Sequence, residues 1–266
     1  MAKVSIIMGV YNPKGFEGLK KSVNSIISQT YQDWEFIICN DGSDYKTAAE
    51  LRLIETADCR IRVIGYQENR GLCYALNRCI AEAKGKYIAR QDDDDISHPQ
   101  RLEKQIEFLE ANPGYDIVGT NAYVFNDCGT WGEYIVDEKP TKKSFLWNSP
   151  FIHPSVIMRT DSLCSVGGYR VAKETRRCED YDLFMRMYAK GMIGYNIQDK
   201  LYDYRIVNNP NKKYRPMSIR MDEAKVRFQG YKDMGILLEG IPYIIKPIII
   251  GVIPAKFIAK IKEKRY

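Results

Sequence analysis

The stretch VSIIMGV at residues 4–10 decides the fold of this chain. It is an apolar run of strand length, of the kind that a parallel sheet buries on both faces. Apolar residues at helical spacing follow at 19–27, and the same alternation then repeats. Further strands are predicted at 34–39, 61–65 and 86–89, and further helices at 45–56 and 72–83. These β–α repeats predict an α/β fold with a single doubly wound, mostly parallel sheet flanked by helices.

The second half of the chain is less regular. Its pattern predicts a hairpin of strands 115–126 and 132–136, a strand at 151–159, and helices at 179–189 and 215–238. No low-complexity linker separates the two halves. We therefore expect one domain over residues 1–240, followed by a C-terminal helical or amphipathic extension at 241–266.

Composition excludes several classes of protein. The chain has 266 residues, of which 45% are hydrophobic and 28% charged, so it is neither disordered nor a disulfide miniprotein. Its seven cysteines form no CxxC pair, and only two histidines accompany them, which makes a structural zinc site a poor interpretation. Reduced thiols and an N-terminus without the features of a signal peptide predict a cytoplasmic protein.

The net charge of +6 is concentrated at one end. Residues 243–266 carry +5 of it, which leaves the rest of the chain at +1. A nearly neutral body argues against a nucleic-acid-binding groove. The basic tail instead indicates that this segment binds a partner of its own.

Polar residues follow each of the four predicted strands. The most acidic group is Asp92 to Asp95, four consecutive aspartates after the fourth strand. Ligands of such sheets bind beyond the carboxyl ends of the strands, and this chain has neither GxGxxG nor GxxxxGK[ST] there. A solvated loop is one interpretation of the run. An acidic edge without a glycine cradle also fits a Mg²⁺ or Mn²⁺ ion that carries the charge of a phosphate group.

Four segments resemble family 2 glycosyltransferases of the GT-A fold, in particular those that build bacterial surface polysaccharides. They are VSIIMGVYN, CNDGSDYKT, the stretch from ENRGL to EFLE, and RRCEDYDLFMRM, and together they span about residues 3–205. The resemblance implies that residues 1–240 are a catalytic domain. It also implies an inverting, metal-dependent transfer from a nucleoside-diphosphate sugar, with a UDP-sugar favoured, to a glycan or lipid-linked acceptor.

The resemblance implies roles on the donor side. Asp92, Asp93 and Asp94 resemble the DxD motif of the family, in which Asp92 would contact the ribose or the metal and Asp94 would ligate Mn²⁺ or Mg²⁺. The middle position is often small in the family, so Asp93 makes this motif unusually acidic.

Further donor-side positions lie in the other loops. Asp41 resembles the residue that reads the uracil edge, with Tyr11 and Asn12 beside the base. Gly71 would allow the backbone to approach the nucleotide, or it serves only the turn into the next helix.

On the acceptor side, Glu179 and Asp180 resemble the ED motif of the family. The resemblance makes Asp180 the catalytic base, with Glu179 or Asp182 as the alternatives. Acidic residues are also favourable at any helix N-terminus, so an ordinary helix start is the competing interpretation. His153, in a His-Pro-Ser stretch, is either an acceptor-side residue or a structural histidine.

The extension at 241–266 mixes apolar residues with lysine and contains three prolines. Its longest stretch between lysines holds nine residues, whereas a membrane-spanning helix needs roughly 20. One interpretation is a segment lying on anionic lipid, which would place the protein at the inner face of the cytoplasmic membrane. The other is a C-terminal helix packed on the domain.

Two competing functions remain at this point. A sugar-nucleotide pyrophosphorylase would need a glycine-rich basic loop after the first strand, where this chain has YNPKGFEG. A glycosyltransferase-like subunit without turnover is disfavoured by the complete acidic motifs.

Overall fold

The computed structural model describes residues 2–206 and 216–252. Its nine strands are β1 Val4–Val10, β2 Trp34–Asp41, β3 Ile61–Tyr66, β4 Tyr87–Arg90, β5 Ile96–Ser97, β6 Ile117–Asn126, β7 Gly129–Tyr134, β8 Ile157–Arg159 and β9 Gly194–Arg205. Its helices are α1 Phe16–Ile27, α2 Tyr45–Glu55, α3 Leu72–Glu82, α4 Arg101–Ala111, α5 Thr160–Ser165, α6 Glu179–Ala189, α7 Met217–Met234 and α8 Leu237–Val252. Short 3₁₀ turns lie at Lys142–Leu146 and His153–Ser155.

All nine strands belong to one sheet, in the order β3-β2-β1-β4-β8-β6-β9-β5 with β7 beside β6. The four strands of the first half are mutually parallel, as predicted. Beyond β4 the sheet is mixed, because β8 runs antiparallel between β4 and β6 while β6 and β9 are parallel. The predicted fold class is therefore confirmed, with antiparallel pairings added by the second half.

The first strand shows why the sheet is covered on both faces. Ile6 and Met8 pack in one apolar cluster with helices α1, α2 and α4, whereas Ile7 packs in the other with α3 and α6. Because successive side chains of a strand point to opposite faces, a strand that is apolar at every position needs helices on both sides. Because β1 to β4 are parallel, the loops that follow them lie at the same edge of the sheet.

Proline accounts for a difference in the predicted strand at 151–159. Only Ile157–Arg159 is a strand, and His153–Ser155 forms a 3₁₀ turn. Pro154 has no N–H to give to a strand neighbour. The hydroxyl of Ser155 instead donates to the carbonyl of Ile152 at 2.9 Å, which closes the turn.

The predicted helix 215–238 is two helices. Its first residue lies outside the described part of the chain, and α7 ends at Met234, where Gly235 adopts a left-handed φ of 77°. The Ile236 amide donates back to the carbonyl of Tyr231 at 2.9 Å, a hydrogen bond typical of a glycine helix end. Helix α8 then packs antiparallel on α7.

Helix α8 crosses the predicted boundary between residues 240 and 241. Pro242 and Pro247 lie inside it, and Tyr243 and Ile244 pack against the main apolar core. The first part of the expected tail is therefore joined to the folded body, whereas residues 253–266 lie outside the described part of the chain. In the described ranges, no helix is both long and apolar enough to cross a bilayer.

Candidate active site

The acidic loop after β4 is anchored at both of its ends. The carbonyl of Asp92 accepts the Ser22 hydroxyl at 2.6 Å, and the Asp92 carboxylate forms an ion pair with the buried Arg90. At the other end, the buried carboxylate of Asp95 accepts the Arg205 amide at 2.7 Å. Asp93 and Asp94 therefore lie in a segment whose two ends are fixed.

The carboxylates of this loop disfavour one another's charge. Burial, together with the charges of Asp92 and Asp94, raises the pKa of Asp93 to about 7. Partial desolvation by the surrounding protein, and secondarily the charge of Asp92, also raise the pKa of Asp94, against the opposing effects of Arg205 and Lys14. The charged form of the loop is thus disfavoured, and a cation bound there would stabilise it.

A divalent cation fits this loop only as a shared site. Residues 2–206 and 216–252 contain no group of three or more acidic, histidine or cysteine side chains that could hold a metal ion. Mg²⁺ and Mn²⁺ in phosphate-binding sites commonly take one or two carboxylates, and the substrate phosphates complete the shell. Asp94 is exposed and Asp92 partly exposed, which matches that open arrangement.

Beneath the acidic loop lies a polar network centred on Arg101 of α4. Arg101 is fully buried, and burial lowers the pKa of its guanidinium to about 10. It donates to the carbonyl of Arg90 at 2.8 Å, to the Ser97 hydroxyl at 2.7 Å and to the Gln91 side chain at 3.1 Å. These acceptors flank the four aspartates on both sides, so Arg101 holds the two ends of the loop together.

We expect Arg101→Met to lower the free energy of unfolding by roughly 2–4 kcal/mol, because several buried acceptors lose their donor. Arg101→Lys should recover only part of the loss, since one ammonium cannot reach all of these acceptors. Urea denaturation measures both variants. Arg62→Met is the matched control: it removes an exposed ion pair with Glu82 and should cost less than about 1 kcal/mol. Equal costs for Arg101→Met and the control would contradict the assigned role.

Asp41 organises the turn between β3 and α3. Its carboxylate is buried and accepts the amides of Arg70 at 2.8 Å and Gly71 at 2.9 Å, together with the side chains of Tyr66 at 2.5 Å and Asn69 at 2.9 Å. Both carboxylate oxygens are thus occupied within the protein. A nucleotide base that hydrogen-bonds to Asp41 would have to displace one of these donors. The sequence did not reveal this constraint.

Glycines shape the same turn. Gly71 has a φ of 89° at the entry to α3, and a Cβ placed there would meet no heavy atom within 4 Å. Gly42 has a φ of 68°, and a Cβ there would lie 2.4 Å from the Glu68 backbone. Gly71 therefore serves the helix-entry turn and leaves open space beside it, while Gly42 lets the loops after β2 and β3 touch.

The loop after β1 meets the loop after β2 through Asn12. Its side-chain oxygen accepts the Asp44 amide at 2.9 Å, and its own amide donates to the Ser43 hydroxyl at 3.1 Å. The neighbouring Tyr11 is half exposed. Tyr11, Asn12, Asp41 and Gly71 thus lie together along the strand ends of β1 to β3.

A cleft of about 330 Å³ brings the remaining predicted site residues together. Its wall includes Asp92 from the acidic loop, His153 from the 3₁₀ turn, and Glu179 and Asp180 from the start of α6. Burial raises the pKa of Glu179, with a smaller effect in the same direction from Asp92. Carboxylates that are separated by about 90 residues in the sequence therefore share one water-accessible space. Asp93 and Asp94 are not part of this wall.

Asp182, the other alternative for the base, is engaged elsewhere. It is buried and forms ion pairs with Arg170 at 2.7 Å and Arg186 at 2.8 Å. Arg186 also donates to the carbonyls of Val166 and Gly168. Asp182 thus holds α6 to the preceding loop, and it does not line the cleft.

His153 is partly buried at the cleft wall. Its Nε2 lies 2.7 Å from the Tyr169 hydroxyl. Burial, and secondarily the positive charge of Arg90, hold the pKa of His153 well below its usual range. The imidazole is therefore neutral near pH 7, positioned by a tyrosine that is itself fixed by Asn77.

Several residues of the cleft wall escaped the sequence analysis. Helix α7 contributes Glu223 and Arg227, which are joined by an ion pair of 3.0 Å, and Tyr134 and Tyr204 come from β7 and β9. The spacing of Glu223 and Arg227 by four residues was visible in the sequence, but such pairs are usually surface features. Arg177 has a left-handed φ of 64°, for which the sequence carries no signal.

A mixed sheet with this strand order, and with an acidic cleft at the carboxyl ends of its parallel strands, defines the GT-A class of nucleotide-sugar transferases. The family model described as Glycosyl transferase family 2 matches residues 5–166. The chain belongs to glycosyl transferase family 2, and it is a glycosyltransferase.

Relatives and solved structures agree with this class. EpsE of Bacillus subtilis (strain 168), named as a glycosyltransferase, is 38% identical over 99% of this chain and 94% of its own length. The UDP-Gal:alpha-D-GlcNAc-diphosphoundecaprenol beta-1,3-galactosyltransferase of Escherichia coli is 29% identical over 98% of this chain and 96% of its own. The crystal structure of S. aureus TarS 1-349 with UDP-GlcNAc has a TM-score of 0.72 at 16% identity. That match covers 92% of this chain and 73% of TarS 1-349, and it supports the fold.

Proposed function

We propose that this protein transfers a sugar from a UDP-sugar to a glycan or lipid-linked saccharide, with inversion, during synthesis of a cell-surface polysaccharide. The observation that carries the proposal is the single cleft in which Asp92 of the acidic loop shares space with Glu179 and Asp180. A donor held by the first group would present its anomeric carbon to an acceptor held near the second. Two relatives are named as a glycosyltransferase and a galactosyltransferase, and these names support the same reaction class.

On the donor side, we assign the nucleotide to the loops after β1, β2 and β3. Tyr11 and Asn12 would flank the base. Asp41 would act mainly by fixing the turn at Gly71, whose open side lets the backbone approach the nucleotide. The diphosphate would then reach Asp92 and Asp93 at the end of β4.

We assign Mn²⁺ or Mg²⁺ to Asp94, which is exposed, and to Asp92, which is partly exposed. When bound with the donor, the ion would neutralise the diphosphate and favour its departure. The protein's part is to keep the loop in place, through Ser22 and Tyr202 at Asp92 and through Arg205 at Asp95.

The proton transfer is assigned to Asp180. The acceptor hydroxyl oxygen forms a bond to the anomeric carbon, the bond from that carbon to the diphosphate oxygen breaks, and the hydroxyl proton passes to the Asp180 carboxylate. Glu179, whose pKa burial raises, is the alternative proton acceptor. His153 would contact the acceptor as a neutral hydrogen-bonding group.

A screen of nucleotide sugars tests the proposal. Purified protein should hydrolyse at least one UDP-sugar slowly in the presence of Mn²⁺ or Mg²⁺, and EDTA should abolish the reaction. GDP- and dTDP-sugars in the same panel test the choice of nucleotide. If no nucleotide sugar is hydrolysed, and calorimetry detects no binding of any donor, the proposed function is wrong.

A further inference from the structure

Strand β9 contributes Tyr204 to the wall of the cleft, where Asp92 of the acidic loop and Asp180 of α6 also lie. The proposed function leaves this tyrosine without a role, because Asp92 belongs to the donor side and Asp180 takes the proton. The anomeric carbon has to lie between these two groups when the sugar is transferred. A side chain that reaches the same space can therefore contact the sugar itself.

The backbone of Tyr204 is held beside the acidic loop from both sides. Two residues earlier, the Tyr202 hydroxyl accepts the Asp92 amide at 3.4 Å. One residue later, the Arg205 amide donates to the Asp95 carboxylate at 2.7 Å. Successive side chains of a strand alternate between its faces, so Tyr202 and Tyr204 share one face of β9. Tyr204 therefore lies on the same side of β9 as a tyrosine that contacts the loop.

The ring of Tyr204 is restrained by a small apolar cluster. It packs against the buried residues of this cluster, and so does the ring of Tyr134 from β7. The two ring centroids are 6.2 Å apart, and the ring planes are tilted by 50°. The buried residues of the cluster are Ala122, Val136, Ile152 and Tyr202. Because its ring is packed in this way, Tyr204 presents its hydroxyl to the cleft in a defined position.

The hydroxyl of Tyr204 is available to a ligand. Within the described part of the chain it forms no hydrogen bond, although the side chain is partly buried. Burial, and secondarily the charges of Asp95, Asp92 and Asp180, raise the pKa of Tyr204. The phenol is therefore neutral near pH 7 and keeps its O–H donor. Because these carboxylates belong to the acidic loop and to the proposed base, Tyr204 lies within electrostatic range of both.

We propose that the Tyr204 hydroxyl donates a hydrogen bond to the transferred sugar and helps to determine which nucleotide sugar the enzyme accepts. The proposal rests on the proposed function, which places that sugar between the diphosphate at Asp92 and the base Asp180. A site built to hydrogen-bond a substrate hydroxyl discriminates strongly against a substrate that leaves its polar group unpaired. The contact is assigned to the sugar and not to the nucleotide, because the nucleotide is assigned to the loops after β1, β2 and β3.

Replacement of Tyr204 by phenylalanine tests this contact, since it removes the O–H donor and keeps the packed ring. Tyr204→Phe should lower kcat/KM by about tenfold for hydrolysis of the UDP-sugar that the unmodified protein hydrolyses fastest with Mn²⁺. The preference for that sugar over the other UDP-sugars of the panel should narrow. The affinity for UDP alone, measured by calorimetry with Mn²⁺, should be nearly unchanged, because UDP lacks the sugar.

Tyr123→Phe is the matched control. Tyr123 is also partly buried, and it lies on β6 one position before Val124, the residue that pairs with Tyr204. Its side chain therefore lies on the opposite face of the sheet, where its ring stacks on His98, and it is not part of the cleft wall. This variant should leave both hydrolysis and UDP affinity unchanged.

Equal kinetics of Tyr204→Phe and Tyr123→Phe would overturn the proposal, and so would a parallel loss of hydrolysis and UDP affinity in Tyr204→Phe. A loss of sugar transfer with hydrolysis unchanged would place the hydroxyl on the acceptor instead. A melting curve for each variant excludes unfolding as the cause. If the panel shows a GDP- or dTDP-sugar to be the donor, the choice of UDP is wrong, and the same comparison with that donor and its free nucleotide decides the role of Tyr204. If the unmodified protein neither binds nor hydrolyses any nucleotide sugar, the proposed function is wrong, and this proposal with it.

Discussion

Replacement of Asp180 by asparagine is expected to lower kcat by on the order of 10²-fold or more, with donor binding nearly unchanged. Asparagine keeps the size and the hydrogen-bonding capacity of the side chain but cannot take the proton of the acceptor hydroxyl. Asp180 lines the cleft wall with Glu179 and His153, at the start of α6. Steady-state transfer kinetics, with donor affinity measured by calorimetry, separate the two quantities.

The neighbouring acids supply the comparison for this variant. Glu179→Gln should retain more activity than Asp180→Asn if Asp180 is the base. Asp182→Asn should act differently, because it breaks the ion pairs to Arg170 and Arg186. We expect this variant to lower the melting temperature, without a selective loss of kcat. A collapse of donor affinity in Asp180→Asn would place this residue on the donor side and make Glu179 the candidate base.

Asp94→Ala is expected to abolish transfer and to remove the dependence of nucleotide binding on Mn²⁺ or Mg²⁺. Without a cation, the diphosphate would approach a loop of four carboxylates, in which burial and the charges of Asp92 and Asp94 already raise the pKa of Asp93 to about 7. Calorimetric titration of UDP with and without Mn²⁺ measures the effect.

Asp127→Ala is the control for this variant, because it removes an aspartate that is paired with Arg205 outside the acidic loop. It should leave the metal dependence intact. Activity of Asp94→Ala close to that of the unmodified protein at saturating Mn²⁺ would contradict the metal assignment.

The first half of the fold follows from local sequence patterns, whereas most of the second half does not. Strands β1 to β4 are short apolar runs buried on both faces, and their helices show regular apolar spacing. Strand β9 was missed because its register shifts twice against β6, and polar residues such as Asp199 and Lys200 occupy the irregular part. Its position in the sheet depends on pairing with β6 and β5, which no local pattern encodes.

The residues of the candidate site could be named from sequence motifs, but the contacts between them could not. Asp92, Glu179 and Asp180 could be named from the resemblance, and the structure brings them to one cleft. That Asp41 is occupied by four internal donors, or that Asp182 is held by two arginines, depends on side chains brought together only by folding. The contribution of α7 to the cleft was hidden for the same reason.

The pairing of β5 with β9 also has a consequence for the order in which a newly made chain folds. The Arg205 amide that holds Asp95 is 110 residues further along the chain. At a synthesis rate of roughly 5–20 residues per second, the ribosome needs about 5–20 s to make that distance. Strands β1 to β4 can pair during this interval, because all of them precede the acidic loop. The acidic loop is therefore anchored late, on a parallel half-sheet that already exists, and a chain released before β9 would keep that half-sheet but leave the aspartates of the loop without their second anchor.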